Sequence, residues 1–301
     1  MNRHCMPVRE GSSFLIPVTE FPPWTGSGER CLFDFPPRRE EGGYRRRVRL
    51  PAELSALLPS SFDIIGSKAL IRLPAELRPY EGEIGEAIME VHRSVDGVFE
   101  EMAVGGAFRT RKIRHIAGAE TTETTVRESG LIFKTDIAKT FFSPRLAAER
   151  NRVLMSAGIS ERVLDMFAGV GPFSIALASK ASSVLAADIN PYAVSYAKEN
   201  VKLNRRGNVR VVLRDAREIE DCEFDRIIMN LPLWGISFLE HAMKLLATNG
   251  SIHYYELVEE RRLNEWKKAF ERRGLTPFNL RKVKSYSPQS SIYHAELRTS
   301  V

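Results

Sequence analysis

Short apolar runs and every-second-residue alternation, separated by stretches of helical spacing, organise most of this chain. Residues 62–66 and 69–73 have strand character around a Gly-Ser turn, and residues 82–95 have helical spacing through Ile84, Ala87, Ile88 and Val91. Strand patterns return at 106–116 and 130–136, which predicts a small α+β domain over residues 52–137. A helix is predicted over 146–157. From Arg162 onward strands and helices alternate as βαβαβ, with later strand patterns at 224–229 and 252–255 and a C-terminal pair near Leu280 and at 292–297. That order predicts an α/β, Rossmann-like, doubly wound sheet with helices on both faces over residues 138–301. Residues 1–51, rich in Pro, Gly and Arg, read as a short basic N-terminal module.

The first strand of this alternation ends in Asp165 and runs into Met166-Phe167-Ala168-Gly169-Val170-Gly171-Pro172-Phe173. Glycines at 169 and 171 permit a tight turn and close approach of backbone to a ligand, as in nucleotide-type cofactor sites. A dinucleotide fingerprint wants a third glycine near position 174, where this chain has Ser174. Asp188 ends the second strand, before Ile189-Asn190-Pro191, and Asp215 with Ala216 follows the third. Three acids at successive strand ends suit S-adenosylmethionine better than NAD, because its cationic groups and ribose hydroxyls are matched by carboxylates. Any one of these acids, taken alone, reads equally as a helix N-cap. The fourth strand ends Met229-Asn230-Leu231-Pro232, where the Asn amide offers donors and an acceptor to a planar base. Leu231 and Leu233 depart from the Asn/Asp-Pro-Pro-aromatic pattern of enzymes that methylate exocyclic amines. Carbon-5 pyrimidine methylation needs a cysteine nucleophile in the site, and Cys222 lies before the fourth strand. A ring nitrogen remains as the target.

Composition narrows the setting. With 43% hydrophobic and 27% charged residues the chain reads as a soluble globular protein. The absence of a long apolar run argues against a membrane span or leader, so a cytoplasmic location is expected. Cys5, Cys31 and Cys222 form no CxxC pair, which argues against a disulfide framework or a metal site. The net charge of +6 is unevenly spread: residues 1–50 hold nine arginines, no lysine and six acids. Arg45-Arg46-Arg47 with Arg49 is the densest block, and Arg109, Arg111, Lys112 and Arg114 form a second basic run. The first block alone reads equally as a solvated linker, and the second run shifts the reading towards an anionic polymer as partner.

Several of these segments, with Gly106-Ala107-Phe108-Arg109-Thr110-Arg111, the stretch from Phe142-Ser143-Pro144-Arg145 to Glu149-Arg150, Ile252-His253-Tyr254-Tyr255 and Val283-Lys284-Ser285-Tyr286, resemble the archaeal and eukaryotic tRNA (guanine-N1)-methyltransferases over residues 60–300. That family modifies the guanosine just 3′ of the anticodon, position 37. The resemblance implies a class I methyltransferase fold, S-adenosylmethionine as cofactor and a tRNA anticodon stem-loop as partner; a monomer without a metal is also expected. It implies Glu149 as general base, its pKa raised in a closed apolar pocket, Arg109 at the guanine O6 and Asn230 on the base edge. Cofactor contacts are expected from Phe141, Arg150, Asp165, Phe167, Gly169, Gly171, Asp188, Ile189, Asp215, Ala216, Asn230 and Pro232. Glu149 also reads as a carboxylate paired with Arg145 or Arg152 on one helix face. The chain departs from the family pattern at Phe141, where a Tyr is common, at 126–130, which lacks a His, and in its shorter N-terminal region. A related family transfers an aminocarboxypropyl group from the same cofactor. There Gly-Asn is expected in place of Arg145-Leu146, and Glu in place of Asp188. A bifunctional enzyme of the wyosine pathway, an inactive RNA-binding relative and a small-molecule methyltransferase stay open at this point.

Overall fold

The computed structural model describes residues 43–105, 108, 110–220, 223–287 and 289–299, and the backbone of 8–10 and 13–15. Arg109 and all three cysteines lie outside the described residues. Strands β1 (Val8–Glu10) and β2 (Ser13–Leu15) pair antiparallel. A 3-10 turn at Tyr44–Arg46 and helix α1 (Ala52–Ser55) lead into β3 (Asp63–Ile65), β4 (Lys68–Ile71), α2 (Glu81–Val91), β5 (Gly97–Gly105) and β6 (Thr110–Gly118). These strands form one sheet in the order β3-β4-β5-β6, with α2 packing Ile84, Ala87 and Ile88 into the shared core. Tyr44 and Val48 enter that core too, while Arg45, Arg46, Arg47 and Arg49 stay exposed. The basic block therefore sits on the wall of the small domain, and the boundary expected at 51/52 runs through this packing.

Strand β5 escaped the pattern reading because Glu100 and Glu101 interrupt its apolar run. The fold buries Glu100 against Arg114 (2.7 Å) and pairs Glu101 with Arg72 (2.9 Å) and Arg111 (3.2 Å). Arg111 and Arg114 thus serve internal pairing instead of the phosphate contacts expected of the second basic run. Lys112 is exposed.

Next come the hairpin β7 (Glu123–Glu128) and β8 (Leu131–Asp136), then α3 (Ala147–Ser156) behind a 3-10 turn at Pro144–Leu146. The remaining elements are β9 (Arg162–Asp165), α4 (Pro172–Leu177), β10 (Ser183–Asp188), α5 (Pro191–Leu203), β11 (Val209–Leu213), β12 (Phe224–Met229), α6 (Ile236–Lys244), β13 (Leu246–Glu259), α7 (Leu263–Glu271), β14 (Leu275–Ser285) and β15 (Ser290–Thr299). They build a seven-stranded sheet in the order β11-β10-β9-β12-β13-β15-β14. Strands β9 to β13 pair parallel, and β13, β15 and β14 pair antiparallel. Order reverses beside β9, so the ends of β9, β10 and β12 face one crevice. Pro277 is accommodated because β14 is the sheet edge. Alternation assigns neighbours to opposite faces: Ile227 and Tyr254 join one core, Ile228 and Tyr255 the other.

The β7–β8 hairpin is too small to stand alone, and two asparagines one turn apart, Asn200 on α5 and Asn204 at its C-cap, capture its open edge. Asn204 accepts from Ile132 N (2.9 Å) and donates to Ile132 O, and Asn200 accepts from Lys134 N (2.7 Å) and donates to Lys134 O (3.0 Å). The fully buried Asn200 also donates to Val170 O (3.0 Å) in the glycine turn. Replacing it orphans buried backbone groups on both sides, so Asn200→Ala is expected to lower unfolding free energy by about 3 kcal/mol in urea titrations.

Candidate active site

The turn between β9 and α4 is built by sterics. Gly169 (φ +56°) and Gly171 (φ +89°) occupy the left-handed region, where a side chain is strained. Gly171 precedes α4, and Pro172 starts that helix with its φ already set. The Gly169 N–H donates to Asp188 Oδ2 (2.7 Å), and Asn190 N donates to Asp188 Oδ1 (2.8 Å). One carboxylate therefore joins the ends of β9 and β10. Asn190 in turn caps α5 by accepting from Tyr192 N (3.0 Å) and donates to Lys139 O (2.8 Å). Burial raises the Asp188 pKa against these backbone donors.

Ser174, standing where a dinucleotide site has glycine, donates to Asp165 Oδ2 (2.7 Å). The other Asp165 oxygen is buried without a partner, and burial, reinforced by Asp188, pushes the carboxyl up to about 7. Asp215 caps the turn at 216–218 through Arg217 N (2.9 Å) and pairs with the Arg217 side chain (2.6 Å).

A cleft of ≈ 620 Å³, open to solvent, brings together Phe141, Arg150, Phe167, Gly169, Asp188 and Asn230. Its lining does not include Glu149, Asp165, Gly171, Ile189, Asp215, Ala216 or Pro232. Asp165 and Gly171 build the turn from behind. Phe108 also lines the cleft, and so do Phe142, Ser143 and Leu146, which the quoted motifs contain but which spacing alone did not single out. Arg150 is buried and already engaged: it donates to Glu128 Oε1 (2.6 Å) and to Ser143 O (3.1 Å), and its guanidinium lies over the Phe142 ring. With its cation so paired, this lining offers little to a diphosphate. The Asp188 carboxylate, the Asn230 amide and aromatic walls fit a nucleoside with hydroxyl and cationic groups. Arg111 ties the small domain to this wall, donating to Phe142 O (3.0 Å) while its guanidinium stacks on Phe141 at 4.7 Å. A larger hollow of ≈ 1080 Å³ against α7 is lined by Glu256, Trp266 and Arg273 among others and holds none of the expected site residues.

Glu149 differs from expectation. Its carboxylate is buried, yet it is not in an apolar pocket: Arg152 donates through Nε (3.0 Å) and Nη2 (2.7 Å), and the Tyr255 hydroxyl donates at 2.9 Å. Burial pushes its pKa up, but the hydrogen bonds and charge of Arg152, with the Tyr255 hydroxyl, outweigh it and leave the group below its ordinary value. Arg145, the other expected partner, reaches across to Asp63 (2.5 Å).

The profile of the TRM5/TYW2 methyltransferase domain matches residues 124–276, and that of the TYW2 N-terminal domain matches 47–122. The chain belongs to the TRM5/TYW2 methyltransferase family. It is 51% identical over 248 residues, 82% of this chain and 74% of the relative, to the tRNA (guanine(37)-N(1))-methyltransferase Trm5b of Pyrococcus abyssi. The crystal structure of Pyrococcus abyssi Trm5b superposes with a TM-score of 0.80 at 43% identity, covering 100% of this chain and 93% of that one. A complex of aTrm5 and tRNALeu gives a TM-score of 0.80 at 30% identity, covering 99% and 93%. This TRM5/TYW2 family member carries the expected fold class, with the small domain ahead of the methyltransferase sheet.

Among the described residues no helix is long and apolar enough to cross a membrane, and no group of three or more His, Cys, Asp or Glu could hold a metal. For Asp165 the folded pKa lies above the unfolded value, so its contribution to stability is full at low pH and is lost as pH rises towards 7. Asp165→Asn removes that dependence. Its unfolding free energy relative to wild type is expected to rise by about 2–3 kcal/mol between pH 5 and pH 8 in paired urea titrations.

Proposed function

We propose that this protein methylates N1 of guanosine 37 in tRNA, using S-adenosylmethionine, with Glu149 as the general base. Phe167, Gly169, Asp188 and Asn230 converge from three strand ends on one cleft, and this convergence, on a chain 51% identical to a named guanosine-37 methyltransferase, carries the proposal. When bound, S-adenosylmethionine supplies an electrophilic methyl group. Asp188 accepts hydrogen bonds from the ribose hydroxyls, and Phe141 and Phe167 wall the cleft. Asn230 holds the base edge. Arg109 stabilises charge on guanine O6, a role drawn from the family resemblance.

Glu149 lies on α3 between Leu146 and Arg150, which both line the cleft. Held below the ordinary carboxylate range, it is ionised at neutral pH and so able to accept a proton. A weak base suffices, because N1–H becomes strongly acidic as the new N–C bond forms. The target must leave the anticodon stack to reach the cleft, so base flipping belongs to the reaction. The exposed arginines at 45–49 are assigned to tRNA phosphates, and the enzyme to a monomer. The Arg145-Leu146 pair and Asp188 favour methyl transfer over aminocarboxypropyl transfer.

Incubation with labelled S-adenosylmethionine and tRNA transcripts carrying G or A at position 37, followed by nucleoside mass spectrometry, tests the substrate. N1-methylguanosine from the G transcript alone is expected; an aminocarboxypropyl product, or none, would overturn the assignment. Glu149→Gln is expected to keep cofactor binding and lose about 10²–10⁴-fold in turnover, the usual contribution of a general base. Undiminished turnover would remove Glu149 from the chemistry.

A further inference from the structure

Behind Glu149 lies a largely buried chain of polar side chains, joined by hydrogen bonds and by the contact of Arg152 with the His294 ring, that none of the steps above uses. Arg226 donates to Glu161 (2.6 Å), to Ser156 O at the end of α3 (3.1 Å), and to His253 Nε2. A guanidinium only donates, so His253 Nε2 must accept and its proton must sit on Nδ1. His253 Nδ1–H then donates to His294 Nε2 (3.0 Å). Asn279, at φ +46°, lies in the register shift of β14 between Phe278 and Arg281. Such a bulge re-aims side chains, and Arg281 reaches Glu149 Oε2 at 3.9 Å. Arg152 lies against the His294 ring at 3.2 Å and carries the array to the Glu149 carboxylate. The two histidine rings stack, centroids 5.2 Å apart.

We propose that Tyr255 and Arg152, braced by His294, His253 and Arg226, are positioning residues that hold the Glu149 carboxylate as the proton acceptor. This rests on the reading of Glu149 as general base. Tyr255 is fully buried on the core face of β13, so its hydroxyl acts on the reaction only through Glu149 Oε1. The groups facing Glu149 are Arg152 from α3, Tyr255 from β13, Arg281 from β14 and His294 from β15. Burial and the arginines hold both histidines neutral, His294 down at about 4, so they brace Arg152 without competing for the carboxylate as cations. Burial, reinforced by Glu149, raises the Tyr255 pKa far above its ordinary value and keeps the hydroxyl a donor. An isolated carboxylate at this depth would take up a proton and cease to be a base. The array prevents that, and by pinning Ser156 it also fixes the helix that carries Glu149.

The test compares kcat/KM against pH for the full chain and a guanosine-37 tRNA transcript. Tyr255→Phe removes one donor to the charged form, so its acid limb is expected about one pH unit above that of wild type, with up to tenfold loss below the limb. Cofactor and tRNA KM are expected to stay within twofold. Arg152→Lys, which keeps charge but loses the two-pronged contact, is expected to shift the limb the same way and decides the matter if Tyr255→Phe does not fold. A Tyr255→Phe profile that superimposes on wild type, with Glu149→Gln inactive, overturns the clamp and leaves the base standing. A fully active Glu149→Gln removes both.

Discussion

The hydrogen bond from Gly169 N–H to Asp188 is the contact on which the arrangement of the cleft depends. It joins the ends of two strands, holds the left-handed turn in place and leaves carboxylate lone pairs for a ligand. Everything that packs around it serves the same turn. Ser174 steadies Asp165 below it, Asn200 holds Val170 from α5, and Asn190 ties the following helix to Lys139 O. Because Asn200 also captures the β7–β8 hairpin, the turn and the approach to the cleft from the small domain share one set of buried hydrogen bonds.

Buried charge is the second theme: away from the Asp165 and Asp188 carboxyls of the cofactor turn, this chain handles it by pairing. Glu100, Glu101, Arg111 and Arg114 settle each other's charges within the small domain, and Arg150 settles Glu128 beside the cleft. Glu149 follows the same rule. A carboxylate at its depth carries a large desolvation cost, which Arg152 and Tyr255 offset. The consequence reaches function: the carboxylate that accepts a proton in the proposed reaction is kept charged by its packing, with Arg152 from its own helix and further partners from three strands of the sheet. Membership of the TRM5/TYW2 family is consistent with this economy, since the fold supplies a common crevice and the chemistry follows from what lines it.

Periodicity and turn chemistry were enough to order the elements from β9 onward, because each parallel strand is a short apolar run and each helix keeps its own spacing. The Gly169–Gly171 turn, the strand-end acids Asp165 and Asp188, and Asn230 after β12 were readable for the same local reason. Strand β5 was not, since its two glutamates look like surface until their cross-strand arginines are known. Nor could spacing tell Asp188, which faces the cleft, from Asp215, which spends its carboxylate on Arg217. The environment of Glu149 was read as apolar, when Tyr255 lies 106 residues away and His294 joins Arg152 across 142 residues.

The sequence by itself thus determined the fold class, the cofactor turn and the family, all of which are written in patterns local to short stretches of the chain. Beyond the Glu149–Arg152 pair, which helix spacing offered, only the tertiary structure decided which charges are spent on each other and which face the cleft. The physical reason is that a charge's behaviour is set by what lies within a few ångströms of it: Arg152, one turn along the same helix, was readable beside Glu149, but the other neighbours arrive from β13, β14 and β15, strands that chain order alone does not bring to α3.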